Sequence, residues 1–241
     1  FLYAPIFTMM VLSFNNSKSR TQWGGFTLQW YTQMFDSATI MDALVNTLLI
    51  AFVSALIATI IGTAASIAIN SMKPLPRTII MGITNIPMLN ADIVTGISLM
   101  LAFIAFGISL GFQTILIAHI TFNIPYVILS VMPKLKQTNK STYEAAMDLG
   151  ANPFQTFQKV VLKLSMPGVI NGIVMVFLMA ISSFVIPKLL GGGQFVLIGN
   201  LIESQFVSVG DWNFGSAISL ILAVLILVAM RLMKKMDVQD N

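Results

Sequence analysis

The sequence predicts an all-α integral membrane protein folded as a six-helix bundle. Only 9% of its 241 residues are charged and 56% are hydrophobic, whereas an average soluble domain carries roughly 25% charged residues. Such a composition excludes a water-soluble enzyme and a disordered chain. Five stretches contain no Asp, Glu, Lys or Arg, and most of them reach the roughly 20 residues that a membrane-spanning helix needs: 1–17, 43–72, 93–133, 164–187 and 212–230.

The charge-free stretches place the spans in order along a single domain, residues 1–241. The stretch 93–133 is too long for one crossing, because at about 1.5 Å per residue it would extend roughly 60 Å, twice the hydrocarbon thickness. We expect it to turn at Gly107–Gly111, and we expect the break between the second and third spans at Lys73–Arg77. The predicted spans lie near 1–13, 43–70, 79–106, 112–133, 167–187 and 213–233.

The basic residues predict the orientation. Of the 13 Lys and Arg residues, ten fall in the loops 71–77 and 134–166 and in the tail 231–241. The other three are Lys18, Arg20 and Lys188. Since basic residues concentrate on the cytoplasmic side, both termini and these two loops are predicted to be cytoplasmic. The net charge of +4 reflects these loops, and no patch suits a nucleic acid, so no nucleic-acid partner is expected.

The cytoplasmic loop 134–166 carries the signals of a short helix, a turn and a second helix. Ser141 and Glu144 have the spacing of a capping box, and Gly150 after Leu149 is typical of a helix stop. Asn152 then suits the N-cap of a second helix that begins with proline. Physical chemistry alone leaves two interpretations open, a connector lying on the membrane surface or a docking element for a cytoplasmic partner.

The spacing within this loop resembles the EAA loop of ABC importer permeases. Three residues separate Glu144-Ala145-Ala146 from Gly150, and nine residues separate Gly150 from Val160-Val161-Leu162. The family pattern has isoleucine in place of Val160 and proline in place of Lys163. The resemblance implies a six-helix type I importer permease with a helix–turn–helix coupling loop. It implies further that this loop inserts into a cytoplasmic ATPase subunit. The ATPase-coupling residues would be Glu144, Ala145, Ala146 and Gly150.

Further motifs resemble one branch of that family, the permeases of spermidine/putrescine importers. Residues 1–170 are similar to the C-type permease through 14–17, 23–27 and 119–122, and residues 171–241 are more similar to the partner B-type permease. The resemblance implies a polyamine cargo, an extracytoplasmic polyamine-binding protein, and a second permease subunit, identical or different. It also implies a cytoplasmic ATPase dimer that binds the ATP, so the chain itself would carry no cofactor.

Asp92 is the candidate substrate-path residue. It is the one acidic residue within a predicted span, and a charge at the centre of a membrane costs roughly 2.5–3.5 kcal/mol, so such residues usually face a cavity or a partner. It follows closely after Pro87, which should interrupt the third helix, and a broken helix can present backbone groups and an acid together. The alternative is that Asp92 is a structural N-cap.

The remaining residues favour no enzymatic chemistry. His119 is the sole histidine and no cysteine is present, so no zinc site can be completed and His119 is more typical of a hydrogen-bonded packing residue. No catalytic constellation or nucleotide-binding motif is evident. Two alternative functions stay open, a type I ABC permease for another cation, an amino acid or a ferric ion complex, and an ion-coupled secondary transporter. The second predicts inverted repeats and more intramembrane ionisable residues.

Overall fold

The computed structural model describes residues 1, 3–17, 21–137 and 140–239, most of which are helical. Lys18 and Arg20, which contributed to the predicted orientation, lie outside the described residues. One π-helical turn, Phe157–Val161, joins α8 to α9, and another, Gln205–Val209, follows α11. The helices are α1 (Ala4–Leu12), α2 (Gln29–Asp36), α3 (Ala38–Ser71), α4 (Pro74–Leu89), α5 (Asp92–Ala105), α6 (Phe112–Gln137), α7 (Lys140–Asp148), α8 (Pro153–Thr156), α9 (Leu162–Ser182), α10 (Val185–Leu190), α11 (Ile198–Ser204) and α12 (Trp212–Gln239).

Four helical segments in the described part of the chain are long and apolar enough to cross a membrane: Ala38–Ser71, Phe112–Gln137, Gln158–Ser182 and Trp212–Arg231. The pair α4 and α5 adds a fifth if it is counted as one broken span, with a bend of 101° between its halves. Helix α1 has nine residues, fewer than the roughly 20 that a crossing needs. The sixth crossing near 1–13 therefore stays a prediction.

Helices α3, α6 and α9 form the centre of the bundle. Small residues on α3 allow close helix packing, and seven of its Ala, Ser and Gly residues are buried: Ala43, Ala51, Ser54, Ala55, Ala58, Gly62 and Ser66. Between α6 and α9, the carbonyl oxygen of Gly168 accepts a hydrogen bond from Ser130 Oγ at 2.8 Å. The apolar contacts between these helices include Ala55, Val127 and Val176.

The closest approach in this centre gives a stability prediction. A Cβ atom on Gly62 would lie 2.7 Å from Val127 Cβ, so we expect Gly62→Ala to destabilise the protein by about 1–3 kcal/mol through overpacking. Gly82→Ala in α4 is the matched control, because its Cβ would meet nothing within 4 Å and alanine is the better helix former. Thermal unfolding in detergent measures both. Equal stability of the two variants would show that Val127 does not constrain position 62.

Two helix boundaries differ from the predicted ones. The predicted break at Lys73–Arg77 is wrong in extent, because α4 already begins at Pro74. Proline is compatible with the first turn of a helix, where the N–H groups have no intrahelical partner. Ser141, expected as a cap, lies inside α7, which begins at Lys140.

The segment between α1 and α2 is attached to the start of α12 through Asn15. This residue is 2% exposed, and its backbone oxygen accepts hydrogen bonds from Trp30 Nε1 at 2.8 Å and Asn213 Nδ2 at 3.2 Å. Its side-chain Oδ1 also accepts a bond from the backbone N–H of Gly24 at 2.8 Å. The segment that follows α1 and the start of α12, which are distant in sequence, are thereby held together.

Candidate functional site

A cavity of about 160 Å³ lies where two helical elements are interrupted. One interruption separates α4 from α5 at residues 90–91, and the other separates α9 from α10 at residues 183–184. Helix α6 contributes four of the residues that line the cavity. The lining residues are Asp92, His119, Phe122, Asn123, Tyr126, Met179, Ala180, Ser182, Ser183, Phe184, Val185 and Ile186.

Asp92 is the first residue of α5 and is exposed at this cavity. The break before it follows Pro87, as the sequence predicted, and Asn90 and Ala91 have extended backbone conformations. Ala91 occupies the N-cap position and α5 has no side-chain cap, so Asp92 is not the structural N-cap of the alternative interpretation. Its carboxylate makes no hydrogen bond or ion pair with the residues that the structure describes. Asp92 is thus a carboxylate at the cavity with no partner in the described part of the chain.

Helix α6 contributes two buried polar side chains to the cavity, His119 and Asn123, each 2% exposed. They lie one helical turn apart. His119 Nδ1 is 2.9 Å from the backbone oxygen of Ile115, whereas His119 Nε2 and Asn123 Nδ2 have no hydrogen-bond partner among the described residues. Native proteins rarely leave buried polar atoms unsatisfied, so both atoms indicate a place for a polar ligand or water.

The break between α9 and α10 is held in place by α11. The backbone oxygen of Phe184 accepts a hydrogen bond from Asn200 Nδ2 at 2.9 Å. The first residue of α11 is fixed in turn, because the N–H of Ile198 donates to Thr47 Oγ1 at 2.8 Å. The sequence pattern predicted one uninterrupted span over 167–187 and did not anticipate this break. Its available signals were the paired serines Ser182 and Ser183 and the nearby Pro187, which suits the first turn of a new helix.

The cavity has the chemistry of a cation site. It combines an unpaired carboxylate with the aromatic rings of Phe122, Tyr126 and Phe184, and aromatic faces attract cations within about 6 Å. No group of three or more His, Cys, Asp or Glu side chains that would hold a metal ion occurs among the described residues. A carboxylate beside aromatic rings is a set of groups that suits an organic cation.

The predicted coupling residues lie on α7 and the turn after it, and none of them lines the cavity. Glu144 and Ala145 are exposed on α7, Ala146 is half-buried, and Gly150 is exposed in the turn with a φ of +88°. The N–H of Gly150 donates to the oxygen of Met147 at 2.9 Å and that of Ala151 to Ala146 at 3.2 Å. This pair of bonds is a Schellman motif, which requires a left-handed residue and hence favours glycine.

The predicted N-cap at Asn152 is confirmed. Its Oδ1 accepts a hydrogen bond from the backbone N–H of Gln155 at 2.8 Å, and Gln155 Oε1 accepts one from the N–H of Asn152 at 3.2 Å. This reciprocal pair starts a helical path from Pro153 through α8, the π-helical turn and α9 to Ser182. The far end of α9 lines the cavity. One helical element thus joins the loop to the cavity.

A polar cavity beside broken helices in a multi-pass helical membrane protein is typical of transport permeases. Comparison with known proteins identifies the family. Residues 58–237 match the profile of the binding-protein-dependent transport system inner membrane component. The chain is a member of this family, and it is a multi-pass inner membrane protein.

Two relatives have assigned transport systems. The chain is 33% identical to the spermidine/putrescine transport system permease protein PotC of Escherichia coli strain K12, over 100% of this chain and 92% of that protein. It is 32% identical to the putrescine transport system permease protein PotI of the same strain, over 85% of this chain and 75% of that protein. The similarity to PotC includes residues 171–241, which the sequence motifs had related to the partner permease.

Solved structures with the same fold are permeases of ABC importers. A chain of the MetNI methionine ABC transporter, in inward-facing conformations, matches with a TM-score of 0.71 at 20% identity, over 85% of this chain and 99% of that one. A chain of a bacterial ABC transporter that imports alginate matches with a TM-score of 0.76 at 15% identity, over 99% of this chain and 90% of that one. The predicted all-α permease fold is confirmed.

Proposed function

We propose that this chain is the permease subunit of an ATP-driven ABC importer that moves polyamines, spermidine or putrescine, into the cytoplasm. The observation that carries the proposal is the unpaired Asp92 carboxylate in a cavity with aromatic walls. Polyamines are chains of methylene groups that carry protonated amines. They need an anion, aromatic faces and apolar surface, and the cavity offers all three. The assigned substrates of PotC and PotI support the same cargo.

The proposal includes a topology and three protein partners. Both termini and the loop 134–166 lie in the cytoplasm, as the distribution of basic residues predicts. A cytoplasmic ATPase dimer docks on Glu144, Ala145, Ala146 and Gly150 and binds the ATP, so the permease needs no cofactor of its own. A second permease, identical or homologous, completes the path, and an extracytoplasmic polyamine-binding protein delivers the cargo.

The mechanism follows from the helical path between loop and cavity. When ATP closes the ATPase dimer, the docked loop moves with it. Because α8 and α9 continue from the loop, the movement reaches Met179, Ser182 and Ser183 at the cavity wall. The cavity then alternates between outward-facing and inward-facing states whose populations the nucleotide shifts. Asp92 binds the cation in the outward-facing state and releases it to the cytoplasm in the inward-facing state.

The test is reconstitution of the permease with its ATPase and binding protein in proteoliposomes. We expect radiolabelled spermidine to accumulate only with ATP and the binding protein together, and unlabelled putrescine to compete. Excess amino acid or ferric citrate should not compete, since neither is a linear polycation. Uptake without ATP, driven by an ion gradient, would contradict the proposal in favour of a secondary transporter. Competition by an amino acid or the ferric complex alone would contradict the cargo.

A further inference from the structure

His119 lines the cavity, and one of its ring nitrogens has no hydrogen-bond partner among the described residues. The side chain is 2% exposed and lines the cavity together with Asp92. Its Nδ1 is directed to the backbone of its own helix, 2.9 Å from the oxygen of Ile115. Nε2 lies on the opposite edge of the ring, buried and without a hydrogen-bond partner among the described residues. A residue that served packing alone would be expected to have both nitrogens satisfied.

The contact with Ile115 determines the chemical character of Nε2. A backbone carbonyl oxygen only accepts hydrogen bonds, so Nδ1 must carry the hydrogen. In the neutral imidazole the other nitrogen is then a lone-pair acceptor. Two acceptors without a partner among the described residues therefore belong to side chains that line the cavity, the Asp92 carboxylate on α5 and His119 Nε2 on α6. A ligand that satisfies both must donate hydrogen bonds and carry positive charge.

We propose that His119 is a substrate-binding residue whose Nε2 accepts a hydrogen bond from a protonated amine of the cargo while Asp92 neutralises its charge. This inference rests on the proposed polyamine transport and specifies its recognition. Asp92 supplies charge, which is weakly directional. The imidazole orients the amine, because the single lone pair of Nε2 lies in the ring plane and accepts an N–H from one direction. The rings of Phe122 and Tyr126, on the same helix as His119, cover the rest of the cation.

Two substitutions at His119 separate the cargo contact from packing. In His119→Asn, the amide nitrogen reaches the position of Nδ1 and can still donate to the Ile115 oxygen, but no acceptor reaches the position of Nε2. In His119→Gln, the longer amide reaches the position of Nε2 with an acceptor oxygen and gives up the Ile115 bond. If His119 serves packing, His119→Asn should preserve transport better. If His119 binds the cargo, His119→Gln should preserve transport better.

The experiment uses the assembled importer in proteoliposomes with saturating, spermidine-loaded binding protein. We measure radiolabelled spermidine moved per ATP hydrolysed, and thermal unfolding of each solubilised variant. We expect His119→Asn to move about tenfold less spermidine per ATP than wild type, the usual effect of losing a hydrogen bond to a charged group. Spermidine transport per ATP by His119→Gln should stay within about threefold of wild type, although this variant should be no more stable than His119→Asn.

The ranking of the two variants decides the inference. Equal transport by both, or more transport by His119→Asn, overturns the assignment of His119 and leaves it a packing residue. Failure of the proposed function has a different signature, because wild-type vesicles would then accumulate no spermidine, or Asp92→Asn would transport it normally. Intact wild-type transport that depends on Asp92, together with the ranking Gln above Asn, supports the role of His119.

Discussion

Replacing Gly150 by aspartate is expected to abolish ATP-driven spermidine uptake while the permease still folds and inserts. Gly150 has a φ of +88°, and a Cβ atom there would meet nothing within 4 Å. The substitution thus costs about 1–2 kcal/mol of backbone strain at an exposed turn and causes no clash within the chain. In the proposed complex the new carboxylate would be buried against the ATPase, where an unpaired charge is strongly unfavourable. We therefore expect uptake to be lost because the variant does not assemble with the ATPase, and not because the permease misfolds.

Gly107→Asp is the matched control for this prediction. Gly107 lies in the turn between α5 and α6, with a φ of +70° and open space around its Cβ position, so its substitution introduces the same charge and a similar strain away from the coupling loop. We expect Gly107→Asp to transport normally and to co-purify with the ATPase, and Gly150→Asp to do neither. Wild-type uptake by Gly150→Asp, or equal losses in both variants, would show that residue 150 does not contact the ATPase.

The sequence was most informative where charge is absent or where a local motif is self-contained. The break after Pro87 and the cap at Asn152 were predictable, because each depends on residues within one helical turn. The long spans α3, α6 and α12 were predictable because burial in lipid requires about 20 apolar residues whatever the neighbours are.

The cavity was less predictable, since it depends on contacts between distant segments. The break at Ser183 and Phe184 lies inside an apolar run, and it is stabilised by Asn200, 16 residues away from Phe184. No hydropathy pattern reports such a bond. From the sequence, His119 was interpreted as a packing residue, because a sequence does not show which ring nitrogen has a hydrogen-bond partner. Only the direction of its ring, set by Ile115, shows which nitrogen is left for a ligand.

The fold offers a physical connection between the proposed coupling loop and the cavity. The helical path begins at Pro153, just after the proposed coupling residues, and its far end at Ser182 lines the cavity. At about 1.5 Å per residue this path is roughly 45 Å long. The π-helical turn at Phe157–Val161 lies within it, and such turns are frequent at functional sites. In the proposed mechanism, a displacement of the loop would therefore reorient the cavity wall without unfolding any span.

Asp92→Asn is expected to reduce spermidine uptake by about 10- to 100-fold, the effect of removing a charged partner from a hydrogen-bonded cation. The substitution preserves shape and removes only the charge. Because Asp92 has no partner among the described residues and Ala91 occupies the N-cap position, the folded state should lose little more than the favourable helix-dipole interaction, about 0.3–1 kcal/mol. Transport should therefore fall far more than stability.

Asp42→Asn provides the control for this charge. Asp42 is an exposed carboxylate near the start of α3 that does not line the cavity, so its neutralisation removes the same charge from the same chain without touching the path. Initial rates of radiolabelled spermidine uptake, with binding-protein-stimulated ATP hydrolysis measured in parallel, should separate the two variants. We expect Asp92→Asn to hydrolyse ATP with little transport and Asp42→Asn to match wild type. Normal uptake by Asp92→Asn would remove the carboxylate from the substrate path, because a cation crossing this cavity would then have no anion to bind.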